Sequence, residues 1–137
     1  MKFFTKNVAY FSWIIVFISI TTSLYFSEIK LYSPCVLCWI QRIAMYPLIA
    51  ILTVGILRKD KNLPYYVLPL SIFGGIVALY HTLLNWGIIP EKIAPCQFGV
   101  SCTTKYIEWF GFVTIPFLSL TAFLFITIFM LIYRESK

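Results

Sequence analysis

Four long stretches of this chain carry no charged side chain. Lys6 and Glu28 enclose 21 uncharged positions, Arg42 and Arg58 enclose 15, Lys61 and Glu91 enclose 29, and Glu108 and Arg134 enclose 25. Inside them apolar residues run almost continuously, with neither the one-sided stripe of a surface helix nor the alternation of a barrel strand. About 20 apolar residues in a helix cross the roughly 30 Å hydrocarbon core of a bilayer. The pattern predicts an all-α membrane protein with spans over approximately residues 8–27, 36–57, 65–88 and 110–133. Residues 28–35 form a short outer loop, 89–109 a long one, and Arg58–Leu63 a tight connection with Pro64 as the first helical residue. Short connections make neighbours antiparallel, so residues 1–137 are expected to form one up-and-down four-helix transmembrane domain.

Composition narrows the function. Of 137 residues, 61% are hydrophobic and 12% charged, against about 25% charged in soluble domains. That excludes a soluble enzyme, a disordered tail and a nucleic-acid module. The net charge of +6 is a topology signal. With the N-terminus in the cytoplasm, the inner segments hold Lys2, Lys6, Arg58, Lys59, Lys61, Arg134 and Lys137, while the outer loops hold Lys30, Lys92 and Lys105. This bias predicts that both termini are cytoplasmic. The first apolar run, Val8 to Phe26, exceeds a signal-peptide core and has no small-residue cleavage site after it, so it is expected to be a retained anchor. Aromatic residues near the span ends, among them Tyr32, Trp39, Tyr65, Tyr66, Trp86, Tyr106, Trp109 and Tyr133, read as an interfacial belt. Gly74-Gly75 suggests a close helix contact.

All four cysteines fall on the outer side of this topology, where an oxidising compartment makes disulfide chemistry useful. Cys35 and Cys38 form a C-x-x-C after Ser33-Pro34, which reads as a helix start with Cys35 in the first turn. That position and that spacing favour a reactive thiolate. A disulfide closing so short a loop gains little chain-entropy stabilisation, so a redox-active pair is expected. Cys96 and Cys102 bracket a loop containing Gly99, and on their own they read as a structural staple.

Arg42 adds a charge where one is costly. The 15 residues from Ile43 to Leu57 cover only about 22 Å of helix, so the second span must reach back towards Cys38 or Cys35. Arg42 is then submerged near the outer edge, four residues after Cys38 and on its face. Snorkelling competes with function as an explanation. The cysteine neighbour favours function, because a guanidinium one turn away stabilises a thiolate or binds a polar ligand group. His81, the only histidine, lies in the third span about two turns before its outer end. A hydrogen-bonded packing role and a proton-shuttle or cofactor-bonding role are both open for it.

The stretch from Cys35-Val36-Leu37-Cys38 through Gln41-Arg42 to Tyr46-Pro47 resembles the DsbB family of membrane thiol–quinone oxidoreductases, and most closely its short Gram-positive branch, BdbC. The likeness extends over essentially the whole chain. It implies a bacterial cell-membrane enzyme of disulfide bond formation, redox-active at Cys35, Cys38, Cys96 and Cys102. It also implies that a DsbA-like (BdbD-like) thioredoxin-fold thiol oxidase forms a mixed disulfide with Cys96. Cys102 then exchanges with Cys35, and Cys38 passes electrons to a membrane quinone, menaquinone or ubiquinone, beside Arg42; His81, by its position alone, is a weaker candidate for that quinone site. No metal is implied. Two departures from the longer branch are the close spacing of Cys96 and Cys102 and the presence of Gln41 where an acidic residue is common. Rival readings are a four-thiolate zinc module and a structural membrane protein stapled by two inert disulfides.

Overall fold

The computed structural model describes residues 2–29, 36–86, 88 and 115–136. Helix α1 runs Lys2–Leu24 and continues into a π-helical turn, Tyr25–Ile29; α2 is Val36–Arg58, α3 is Leu63–Asn85 and α4 is Ile115–Ser136. Among the described residues, four segments are long and apolar enough to cross a membrane: Asn7–Ile29, Leu37–Arg58, Leu63–Asn85 and Phe117–Glu135. The chain is therefore an up-and-down four-helix transmembrane bundle. Each helix packs on its sequence neighbour, and α1 closes the ring against α4.

The boundaries shift where end chemistry overrides hydropathy. Helix α3 starts at Leu63 with Pro64 next, and it stops at Asn85 with Trp86 as its cap, rather than running over 65–88. The Ile88 amide still donates to the Leu83 carbonyl, an extra turn that hydropathy alone cannot separate from helix. Helix α4 extends to Ser136, past the expected residue 133. The expected loop over 89–109 and the expected helix start at Ser33-Pro34 lie outside the described residues.

Packing separates inside from outside although both are apolar. Val16, Leu48, Leu52, Val67, Phe123, Ile126 and Met130 form the interior, while Ile43, Leu57 and Ile76 face outwards. A lipid-facing surface imposes no polar stripe, so the helices differ round their circumference by residue size and polarity of contact. Gly74 marks a close approach of α3 to α4, since a Cβ there would overlap the Phe123 ring. Polar side chains turn inwards as well: Thr127 donates to Ser71 between α4 and α3.

The α2–α3 turn is held by its own chemistry. Lys59 adopts φ 53°. The Lys59 amide donates to the Ile56 carbonyl and the Asp60 amide to the Gly55 carbonyl, a Schellman closure with lysine in the position usually given to glycine. The carboxylate of Asp60 accepts from the Asn62 amide at 2.8 Å. Tyr133, expected in the interfacial belt, is instead buried and donates to the Asp60 carbonyl at 3.2 Å, tying α4 to the turn. Trp39, Tyr65, Tyr66 and Trp86 are exposed near helix ends, as a belt requires.

Candidate functional site

The cysteine end of the bundle is built on the first turns of α2. Leu37 and Leu84 are buried against each other across α2 and α3, and half-buried Cys38 packs on them with Ile40, Val77 and Tyr80. Of the four cysteines, Cys38 alone is among the described residues; Cys35, Cys96 and Cys102 lie outside them.

One turn beyond Cys38 the helix surface divides. Gln41, at i+3, points to α3, and its side-chain amide lies 3.1 Å from His81 Nδ1. Gln41 is 7% exposed and His81 2%. An amide nitrogen can only donate, so the imidazole accepts at Nδ1 and carries its proton on Nε2. Thr82 and Asn85, both buried, continue this polar face of α3, and Thr82 returns its hydroxyl to the Ala78 carbonyl at 2.7 Å.

Arg42, at i+4, points the other way, to α1. Its Nε donates to Ser23 Oγ at 2.8 Å, and one terminal nitrogen donates to the Ser23 carbonyl at 3.0 Å and to Ser27 Oγ at 2.7 Å. The guanidinium also lies 5.3 Å from the centre of the Trp39 ring, a cation–π contact. Ser27 belongs to the π-helical turn that ends α1, and such single turns are frequent at functional sites. Arg42, expected to be submerged beside Cys38, is half-buried within the bundle one helical turn after it. His81, which could have faced Arg42, instead meets Gln41 across the α2–α3 interface.

Several contributors were not singled out in the sequence. Gln41 read as a neutral replacement, and Ser23 and Ser27 read as part of an apolar span. Their signal was there in spacing. Two serines four apart share one face at the end of the first helix, at the depth where the second carries arginine.

The family model for "Disulfide bond formation protein DsbB" matches residues 5–133. The chain belongs to the DsbB family. It is 46% identical over 128 residues to "Disulfide bond formation protein C" of Bacillus subtilis, covering 93% of each chain. It is 47% identical over 132 residues to "Probable disulfide formation protein C" of Halalkalibacterium halodurans, covering 96% of each. No solved structure matches it. This DsbB-family chain is accordingly a multi-pass membrane oxidoreductase of disulfide bond formation, of the kind expected from the Cys35–Pro47 stretch.

Proposed function

We propose that this chain reoxidises a DsbA-like, BdbD-like thioredoxin-fold thiol oxidase outside the cytoplasm and passes the electrons to a membrane quinone. Disulfide formation in exported proteins is thereby sustained. The observation that carries this reading is Arg42, fixed one helical turn from Cys38 with hydrogen-bond donors to spare. Its bonds to Ser23 and Ser27 use Nε–H and one terminal nitrogen. Among the described residues the two N–H groups of the other terminal nitrogen carry no partner. A quinone needs a donor for its carbonyl and an apolar surround for its ring and tail. Arg42, the apolar cluster around Cys38 and the exposed Trp39 ring fit both needs. A quinone held there supplies the acceptor for two electrons and two protons.

The protein's own steps are thiol–disulfide exchanges. A thiolate of the reduced partner attacks Cys96 Sγ, breaking a Cys96–Cys102 disulfide and forming a mixed disulfide. The partner's second thiolate closes the partner's disulfide and releases Cys96. Cys102 then attacks Cys35 of a Cys35–Cys38 disulfide and releases Cys38 as the thiolate; Cys96 attacks Cys102 Sγ, closes the loop disulfide again and releases Cys35 as the second thiolate. The Arg42 charge favours the Cys38 thiolate. Membrane topology completes the scheme: with seven inner cationic residues, Arg58, Lys59 and Lys61 among them, both termini are cytoplasmic and the cysteine end is extracytoplasmic. No metal takes part.

The test is reoxidation of a purified reduced thioredoxin-fold partner by the full chain in detergent, followed by quinone absorbance. One quinone consumed per partner disulfide formed is expected. Reoxidation that proceeds equally without quinone, or stoichiometric zinc in the purified protein, overturns the reading.

A further inference from the structure

Among the described residues, Arg42 is held by neutral groups. Its partners are the Ser23 hydroxyl, the Ser23 carbonyl, the Ser27 hydroxyl and the Trp39 ring. The nearest acidic residue in sequence, Glu28, follows Ser27 in the same π-helical turn and is exposed. Among the described residues no carboxylate pairs with Arg42. A half-buried guanidinium at the edge of a membrane span ordinarily acquires a counter-ion, because an uncompensated charge there is costly. Among the described residues the geometry of a bound arginine is present without the neutralisation.

We propose that Ser23 and Ser27 are positioning residues that clamp Arg42 while leaving its positive charge uncompensated for the quinone site. This rests on the quinone reading above. Two consequences follow from the chemistry. The clamp fixes the planar fork, so the free terminal nitrogen is presented in one direction rather than sampled over rotamers. The neutral acceptors also leave the full charge available to a carbonyl oxygen or a thiolate, whereas a carboxylate in their place would hold the fork equally well and cancel it. The two serines, four apart and sharing one helix face at the π-helical turn, reach the same guanidinium. Ser27 lies in the turn and Ser23 just ahead of it, and Arg42 bonds both the hydroxyl and the carbonyl of Ser23. Geometry and charge are thus set by different features, and they separate by mutation.

The experiment compares Ser27→Ala, Ser27→Thr and Ser27→Asp with the parent chain and with Arg42→Ala. Each full-length protein is purified in detergent. Affinity for a short-tailed benzoquinone is read by tryptophan fluorescence quenching without partner, and quinone KM and kcat are read with reduced partner. Ser27→Ala is expected to weaken quinone binding and raise KM about tenfold, the order of one charge-assisted hydrogen bond, with a smaller change in kcat. Ser27→Thr keeps the hydroxyl and restores parental values. Ser27→Asp is expected to unfold no earlier than the parent, since Arg42 stays bonded, yet to bind quinone at least as weakly as Ser27→Ala. Parental binding in Ser27→Asp would overturn the charge argument, and parental binding in Ser27→Ala would overturn the clamp. If Arg42→Ala loses quinone while every Ser27 variant keeps it, the clamp falls and the quinone reading stands. If Arg42→Ala binds quinone as the parent does, both fall.

Discussion

The buried pair between α2 and α3 gives a prediction whose size follows from its surroundings. Gln41 and His81 are 7% and 2% exposed, and they meet at 3.1 Å across two helices. Leucine at position 41 removes the donor with little change in volume, so a cavity term is small. What remains is the lost interhelical bond, about 0.6–1.7 kcal/mol within membrane proteins, and the penalty for a desolvated imidazole nitrogen, roughly 1–3 kcal/mol. Gln41→Leu is therefore expected to destabilise the bundle by about 2 kcal/mol, near a 30-fold change in the folded ratio. His81→Leu strands the Gln41 amide and costs a similar amount. The double variant removes both polar groups and should cost about 1 kcal/mol or less. The measurement is unfolding of the full chain in mixed detergent micelles, read as a double-mutant cycle with a coupling energy of at least ~1 kcal/mol. Additive single effects would refute the reasoning. The same proteins decide what His81 is for: a packing histidine predicts near-parental quinone-dependent turnover in the double variant. Turnover lost in both His81 variants, with stability restored in the double, would mean proton transfer instead.

Other expectations follow from single features. Cys102→Ser should accumulate a covalent adduct between Cys96 and the thioredoxin-fold partner on non-reducing gels; its absence with partner present would remove Cys96 as the entry point. Gly74→Ala should cost roughly 1–3 kcal/mol by forcing a Cβ into the Phe123 ring. Gly75→Ala, whose Cβ would lie 3.6 Å from that residue's Cβ, should be close to neutral in the same unfolding assay. Lys59→Gly should stabilise the chain by about 1 kcal/mol, because φ 53° strains any side-chain-bearing residue; a drop in the unfolding midpoint would contradict the Schellman reading.

Much of the site was legible in the chain because charge in a membrane is conspicuous. The 15-residue interval after Arg42 is too short to span alone, which puts that residue at the edge of the second span. The C-x-x-C ahead of it gave the charge a chemical neighbour. The direction of each side chain was not legible. Gln41 and Arg42 are adjacent in sequence, yet one joins α3 and the other α1. Tyr133 likewise matched an interfacial belt by position and turned out to bind the Asp60 carbonyl, because the α2–α3 turn packs beneath α4.

The sequence by itself determined the number of spans and their antiparallel order. Each follows from transfer free energy and loop length, which are sums over local residues. Only the tertiary structure decided which helices share a polar contact, that neutral serines hold the arginine, and that the histidine answers to glutamine. Lipid-facing and core-facing positions are equally apolar here, so no periodicity in the chain marks which side of a helix meets its neighbour. Close packing at Gly74 and Phe123 and the satisfaction of a few buried polar groups set that rotation.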